Sequence, residues 1–151
     1  MGYFLCPKVV IYMAFTPEKD LTAIQNILMA DKEILKLLDL EGKSRIDIAK
    51  RIIKRSQWND LATNDKRVCI YFIPDRRARN ESFMESVIEI DVHVPAMEDY
   101  KAWRIQERVK LLLHKERMNR RYIYFNGQLG EIATMPGFFC CGSRFKFHRI
   151  I

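Results

Sequence analysis

Residues 86–115 read SVIEIDVHVPAMEDYKAWRIQERVKLLLHK, and two periodicities meet in this stretch. Ile88, Ile90, Val92 and Val94 alternate with Glu89, Asp91 and His93, the period of a strand with one apolar face. Ala102, Ile105, Val109 and Leu112 then recur at spacings of three and four, the period of a helix laid on a sheet. Glu98 and Asp99 stand at the start of that helix and Lys110, His114 and Lys115 near its end, as the helix dipole favours. The unit is a strand running into a long amphipathic helix, a scaffold element without catalytic machinery of its own.

Upstream, the pattern is helical. Pro17 and Glu18 after Thr16 mark a helix start, and Leu21, Ile24 and Leu28 share one face. Asp31 caps a short second helix carrying Ile34, Leu37 and Leu38, which ends near Gly42. Ser44 and Asp47 have capping-box spacing and open a third helix. We read that helix as continuing through Ile48, Ile52 and Ile53, with Lys50, Arg51, Lys54 and Arg55 crowding its end. A polar linker around residues 58–66 leads into RVCIYFIP, an apolar run with strand composition that Pro74 ends. The polar, basic stretch DRRARNESFM (75–84) then forms the long tip of an antiparallel hairpin with the Ile88–Val94 strand. After the long helix come YIYF, a turn at Asn126-Gly127, a second turn around Pro136-Gly137, and a final strand. In that strand Phe145 and Phe147 alternate with Arg144, Lys146 and His148. The fold class that follows is α+β: an antiparallel or mixed sheet of about four strands, a long amphipathic helix packed on it, and a helical N-terminal region.

The chain has 151 residues and reads as an N-terminal arm over residues 1–16 and a single domain over residues 17–151. The apolar run of the arm, residues 9–15, is far shorter than the roughly 20 residues of a membrane helix. Its flanks do not suit a secretory signal, so we read it as packing on the domain or on a neighbouring copy. The formal net charge of +7 favours acidic partners, nucleic acid or an acidic protein surface. Cys6, Cys69, Cys140 and Cys141 form no C-x-x-C pair and read as reduced and mostly buried. His93, His114 and His148 complete no zinc spacing. No P-loop, dinucleotide fingerprint or nucleophile motif is present, and Gly127 and Gly130 read as turn glycines.

Three groups of residues carry the candidate sites. Glu89, Asp91 and His93 lie on one strand face with the spacing of a Mg²⁺-dependent nuclease site, but no acid-x-Lys partner strand accompanies them, and a solvated strand face is the reading preferred. Arg76, Arg77, Arg79, Asn80 and Phe83 occupy the hairpin tip, where a basic finger can dock on an acidic surface or on phosphates. Tyr100 and Trp103 widen the apolar face of the long helix, and Arg117, Arg120 and Arg121 form a basic cluster after it. These five make a possible subunit interface, with core packing the default for the two aromatics. The Lys50–Arg55 cations and the Lys146/His148 strand support an alternative, a small basic nucleic-acid-binding domain.

Four segments, ILMADKEILKLLDLEG, RVCIYFIP, VIEIDVHVPAMEDYKAWRIQERVKLLL and YFNGQLGEIATMPGFFCCGSRFKF, together resemble the tail terminator and head–tail joining proteins of tailed bacteriophages. The resemblance runs from about Leu21 to Ile151 and is strongest where DVHVP passes into the helix bearing Tyr100 and Trp103. It implies a structural virion protein and no enzyme, with no cofactor and no metal. Such a protein forms a homo-oligomeric ring, typically hexameric, at the neck, caps the tail tube protein, joins a head–neck connector or stopper protein, and lets DNA pass through its lumen. Assembly in the bacterial host cytoplasm, with no membrane partner, is implied too. In this setting the tip residues become a docking loop that stays disordered until it meets the tube, and the Tyr100–Arg121 group becomes a ring interface.

Overall fold

The computed structural model describes residues 17–56, 65–77 and 83–150. Helix α1 spans Pro17–Ala30, α2 Lys32–Leu37 and α3 Arg45–Ala49. Strand β1 is Ile52–Ile53, β2 Arg67–Arg77 and β3 Phe83–Pro95. A single 3₁₀ turn, Ala96–Glu98, leads into α4, Asp99–Leu113. Strands β4 (Arg117–Met118) and β5 (Arg121–Tyr122) form a small separate ribbon, followed by β6 (Tyr124–Ile132) and β7 (Phe138–Ile150). The main sheet is mixed, with five strands in the order β1-β2-β3-β7-β6. Only β1 runs parallel to its neighbour. The fold is therefore α+β with a long helix on the sheet, one strand richer than expected.

The core lies on one face of this sheet. Ile88, Ile90, Val92 and Val94 of β3 are all buried there, as the alternation requires. Val68 and Ile70 of β2 and Cys141, Phe145 and Phe147 of β7 join them. Ala102, Ile105, Val109 and Leu113 of α4 and Ile24 and Leu28 of α1 cover the layer. Leu113, not Leu112, closes the helix stripe. Inside this apolar layer sits one polar anchor. Gln106 donates from Nε2 to the carbonyls of Ile90 and Cys141, both at 2.9 Å, and its Oε1 accepts from Ser143 Oγ at 2.7 Å.

The predicted caps form. Asp31 accepts from the Ile34 amide at 3.1 Å and Ser44 from the Asp47 amide at 3.2 Å. Three other expectations are corrected. The third helix ends at Ala49, and Ile52 and Ile53 leave it to form β1 beside Val68 and Cys69. The Arg51 carbonyl accepts from the Val68 amide at 2.7 Å, so the sheet captures the chain before another helical turn forms. Pro74 does not end β2: the strand continues to Arg77 with a register shift between Ile73 and Arg76. A bulge is one of the few places in a sheet where a residue lacking an amide proton is tolerated. Asn126-Gly127 is no hairpin turn. It lies within β6, where the register against β7 shifts between Phe125 and Gly127 and again between Gln128 and Gly130. Gly127 and Gly130 have φ of +135° and +78°, the backbone that bulges need. The tight turn is at Asn119-Arg120, both at positive φ, between β4 and β5. The turn at Pro136-Gly137 stands where it was read, between β6 and β7.

Candidate functional site

The second face of the sheet carries the chemistry. Register places its side chains in cross-strand rows over β2, β3 and β7. One row is Arg67, His93 and Cys140, the next Cys69, Asp91 and Gly142, and the third Tyr71, Glu89 and Arg144. Glu89, Asp91 and His93 do share a face, but the solvated strand expected there is corrected: all three are buried, at 7%, 5% and 8% exposure. Gly142 has no side chain to cover Asp91. Leu129 and Ile132, brought over by the β6 bulges, close the space above it.

The acids are held by opposed groups. Arg144 Nε donates to Glu89 Oε1 at 3.0 Å, and Lys146 pairs with Glu85 at 3.5 Å. The Tyr71 hydroxyl lies 2.5 Å from Asp91 Oδ2 and also contacts Glu89 Oε2. One phenol proton cannot serve two ionised carboxylates, so this trio closes best with a further proton on Asp91. Its environment agrees: burial first, and the adjacent Glu89 charge after it, raise the Asp91 carboxyl above the ordinary carboxylate range. Burial and the two acids also push the Tyr71 hydroxyl well above its ordinary value. Asp91 Oδ1 is buried without a hydrogen-bond partner.

One row further, His93 Nδ1 is 2.9 Å from Thr134 Oγ1 and His93 Nε2 is 3.6 Å from Cys140 Sγ. Burial, followed by the Arg67 charge, lowers the His93 pKa to about 4, so the imidazole is neutral near pH 7. Burial raises the thiols as well: Cys69 to about 11, Cys141 to about 12 and Cys140 above its ordinary range. None is a nucleophile at neutral pH. Cys69, Cys140 and Cys141 are free and buried. Because strand side chains alternate, Cys140 joins the polar face while its neighbour Cys141 joins the core.

Among the candidate docking residues, Arg76 and Arg77 belong to β2 and Phe83 to β3, where their backbones pair with Glu85, Met84 and Ile150 respectively. The loop expected over residues 75–84 is correspondingly shorter, and Arg79 and Asn80 lie outside the described residues, as does the arm over residues 1–16. The interface group is split. Tyr100 is 48% exposed and lines a groove of about 540 Å³ between α2 and α4 with Lys36, Asp39, Lys101 and Arg104. Trp103 packs on Phe139 at 5.6 Å between ring centroids. Arg117 and Arg120 are exposed on the β4–β5 ribbon. Arg121 instead turns inward to the buried Asp20 of α1. Tyr100 and Arg117 flank opposite ends of α4, about 20 Å apart along its axis, so they do not form one patch. In the alternative basic surface, Arg51 pairs with Asp65 at 2.6 Å, which leaves the Lys50–Arg55 cluster less free charge than its sequence suggests.

The sequence reading missed Tyr71, Thr134 and Cys140 as partners of the polar strand. Alternation in FFCCGSRFKF does place Cys140, Gly142 and Arg144 on one face. Which strand that face would meet is a long-range property with no local signal.

Set against models of known protein families and against curated proteins, the chain matches none. No helix among the described residues is long and apolar enough to cross a membrane.

Proposed function

We propose that this protein is a structural component of a tailed bacteriophage particle, one copy of a ring that caps the tail tube and joins it to the head–neck connector. The observation that carries the reading is that the two outer strands of the sheet among the described residues, β1 and β6, are unlike. On one side lies β6, whose described pairing is with β7 alone. On the other lies the two-residue β1, which runs parallel to β2 and pairs with it at Val68 and Cys69. A ring needs a heterologous contact, one patch meeting a different patch on the next copy. Two unlike edges supply it, and the exposed groups at opposite ends of α4 reinforce it. The β2–β3 hairpin, with Arg76 and Arg77 at the end of β2 and Arg79 following in the sequence, is the element that docks on the tube.

The polar face fits this reading better than a nuclease site, because its carboxylates are buried and tied to Tyr71 and Arg144 rather than open to a substrate. The test is electron microscopy of tailed particles assembled with a labelled copy of the chain. Label at the top of the tail, together with uncapped, headless tails when Arg76, Arg77 and Arg79 are reversed to Glu, is the expected result. Absence of the chain from assembled particles, or polynucleotide cleavage lost in Asp91→Ala, overturns it.

A further inference from the structure

The geometry points to a transition-metal site on the polar face, formed by Asp91, His93 and Cys140, with Zn²⁺ as the cation it suits best. One ligand atom from each residue falls within a cluster no more than 4.8 Å across. The sulfur-to-nitrogen separation matches a coordination sphere. For tetrahedral zinc with Zn–S about 2.3 Å and Zn–N about 2.05 Å, sulfur and nitrogen stand about 3.5 Å apart. His93 Nε2 and Cys140 Sγ are 3.6 Å apart.

Two further observations point to a ligand. Asp91 is 95% buried, since its exposure is 5%, and its Oδ1 has no hydrogen-bond partner. A buried carboxylate oxygen without a partner is costly to desolvate, and a metal bond removes that penalty. The Thr134 hydroxyl at His93 Nδ1 can accept that ring N–H, leaving the Nε2 lone pair facing Cys140. This is the outer arrangement that orients a metal-bound histidine and sets its tautomer.

The donor set selects the ion. A thiolate with an imidazole disfavours Mg²⁺ and Ca²⁺, which take oxygen ligands, and favours zinc. As the S–Zn bond forms, the Cys140 thiol releases its proton to solvent, as does any proton on Asp91. Three protein ligands leave the fourth position to a water molecule. Gly142 leaves room for the carboxylate in this arrangement: a Cβ there would stand 2.5 Å from Asp91 Oδ1.

The test uses the full chain, purified without chelator from zinc-supplemented medium, with metal measured by inductively coupled plasma mass spectrometry. The expected content is about one zinc per chain. Cys140→Ser and His93→Gln should drop it below a tenth, while Cys69→Ser and Cys141→Ser should retain it. Thr134→Ala should weaken zinc binding about tenfold. Should a ligand variant fail to fold, Co²⁺ titration of the unaltered chain decides the matter through its thiolate-to-cobalt charge-transfer band. Absence of both stoichiometric zinc and that band in the unaltered chain overturns the proposal. So does metal binding that survives Cys140→Ser unchanged.

Discussion

Gly142 of β7 lies directly across the ladder from Asp91 of β3, and a Cβ at Gly142 would stand 2.5 Å from Asp91 Oδ1. The same methyl would stand 2.5 Å from Ile132 Cδ1. The glycine is required by close approach, since its φ is not among the positive ones. Gly142→Ala should therefore destabilise the fold by about 1–3 kcal/mol, the usual cost of overpacking a filled site. Urea denaturation should show a lower midpoint at unchanged slope. Adding Ile132→Ala should recover part of the loss, because it removes one of the two clashing groups. A neutral Gly142→Ala would show that the polar face is looser than its packing implies.

A second buried charge ties the two ends of the fold together. Asp20, in the first turn of α1, is 1% exposed and accepts from Asn119 Nδ2 at 2.8 Å as well as from Arg121. The Arg121 guanidinium also lies 4.2 Å from the centroid of the Phe147 ring. Removing the cation strands a carboxylate away from water. Arg121→Ala should cost about 3–5 kcal/mol, whereas Asp20→Leu with Arg121→Met should cost far less or nothing. A double-mutant cycle followed by thermal unfolding measures the difference. Equal losses in the single and double variants would mean that the pair is solvated.

Local pattern made the layers of this fold legible, and long-range pairing hid its site. Ile88 to Val94 and Ala102 to Val109 carry their own periods, so strand, helix and inward faces could be read without knowing any neighbour. The errors fall where two structures share one local signal. Gly127 takes positive φ in a turn and in a bulge alike, and only the pairing of β6 with Phe145 and Arg144 separates them. Ile52-Ile53 suits a helix face or a strand, and the Val68 amide decides between them. The polar face was misjudged for the same reason. Glu89, Asp91 and His93 are a solvated strand when seen alone, and a closed network once Tyr71, Arg144, Thr134 and Cys140 are set around them.

Gln106 offers a direct measure of how the helix is registered on the sheet. It is 3% exposed and bonds two strands at once, through the carbonyls of Ile90 on β3 and Cys141 on β7. Gln106→Leu keeps the apolar layer but leaves the Ser143 hydroxyl, 2% exposed, without its acceptor. The expected loss is about 1–3 kcal/mol. Gln106→Leu combined with Ser143→Ala should be closer to neutral, because both partners then become apolar. Denaturant midpoints of the two variants and the unaltered chain test this, and a double variant no more stable than Gln106→Leu would place the value of Gln106 in the two strand carbonyls.

Asp31 separates capping from ion pairing. It caps α2 through the Ile34 amide and accepts from the Arg108 guanidinium, whose Nε donates to Oδ2 at 3.0 Å and Oδ1 at 3.1 Å and whose Nη2 donates to Oδ1 at 2.7 Å. The Arg108 hydrogen bonds are the main reason that the Asp31 carboxyl sits below its ordinary pKa. A carboxylate lowered on folding stabilises the native state above its unfolded pKa of about 3.9, and that contribution is lost as pH falls through the folded value. Asp31→Asn retains a competent cap but no charge, so its deficit against the unaltered chain should be full near pH 7 and shrink below about pH 4. Asp31→Ala should lose a further increment of about 1 kcal/mol from the missing cap at every pH. Stability curves from pH 2 to 7 for the three proteins distinguish the two roles, because only the charge-dependent part converges in acid. A deficit in Asp31→Asn that persists unchanged at low pH would assign the residue to shape and hydrogen bonding rather than to its pairing with Arg108.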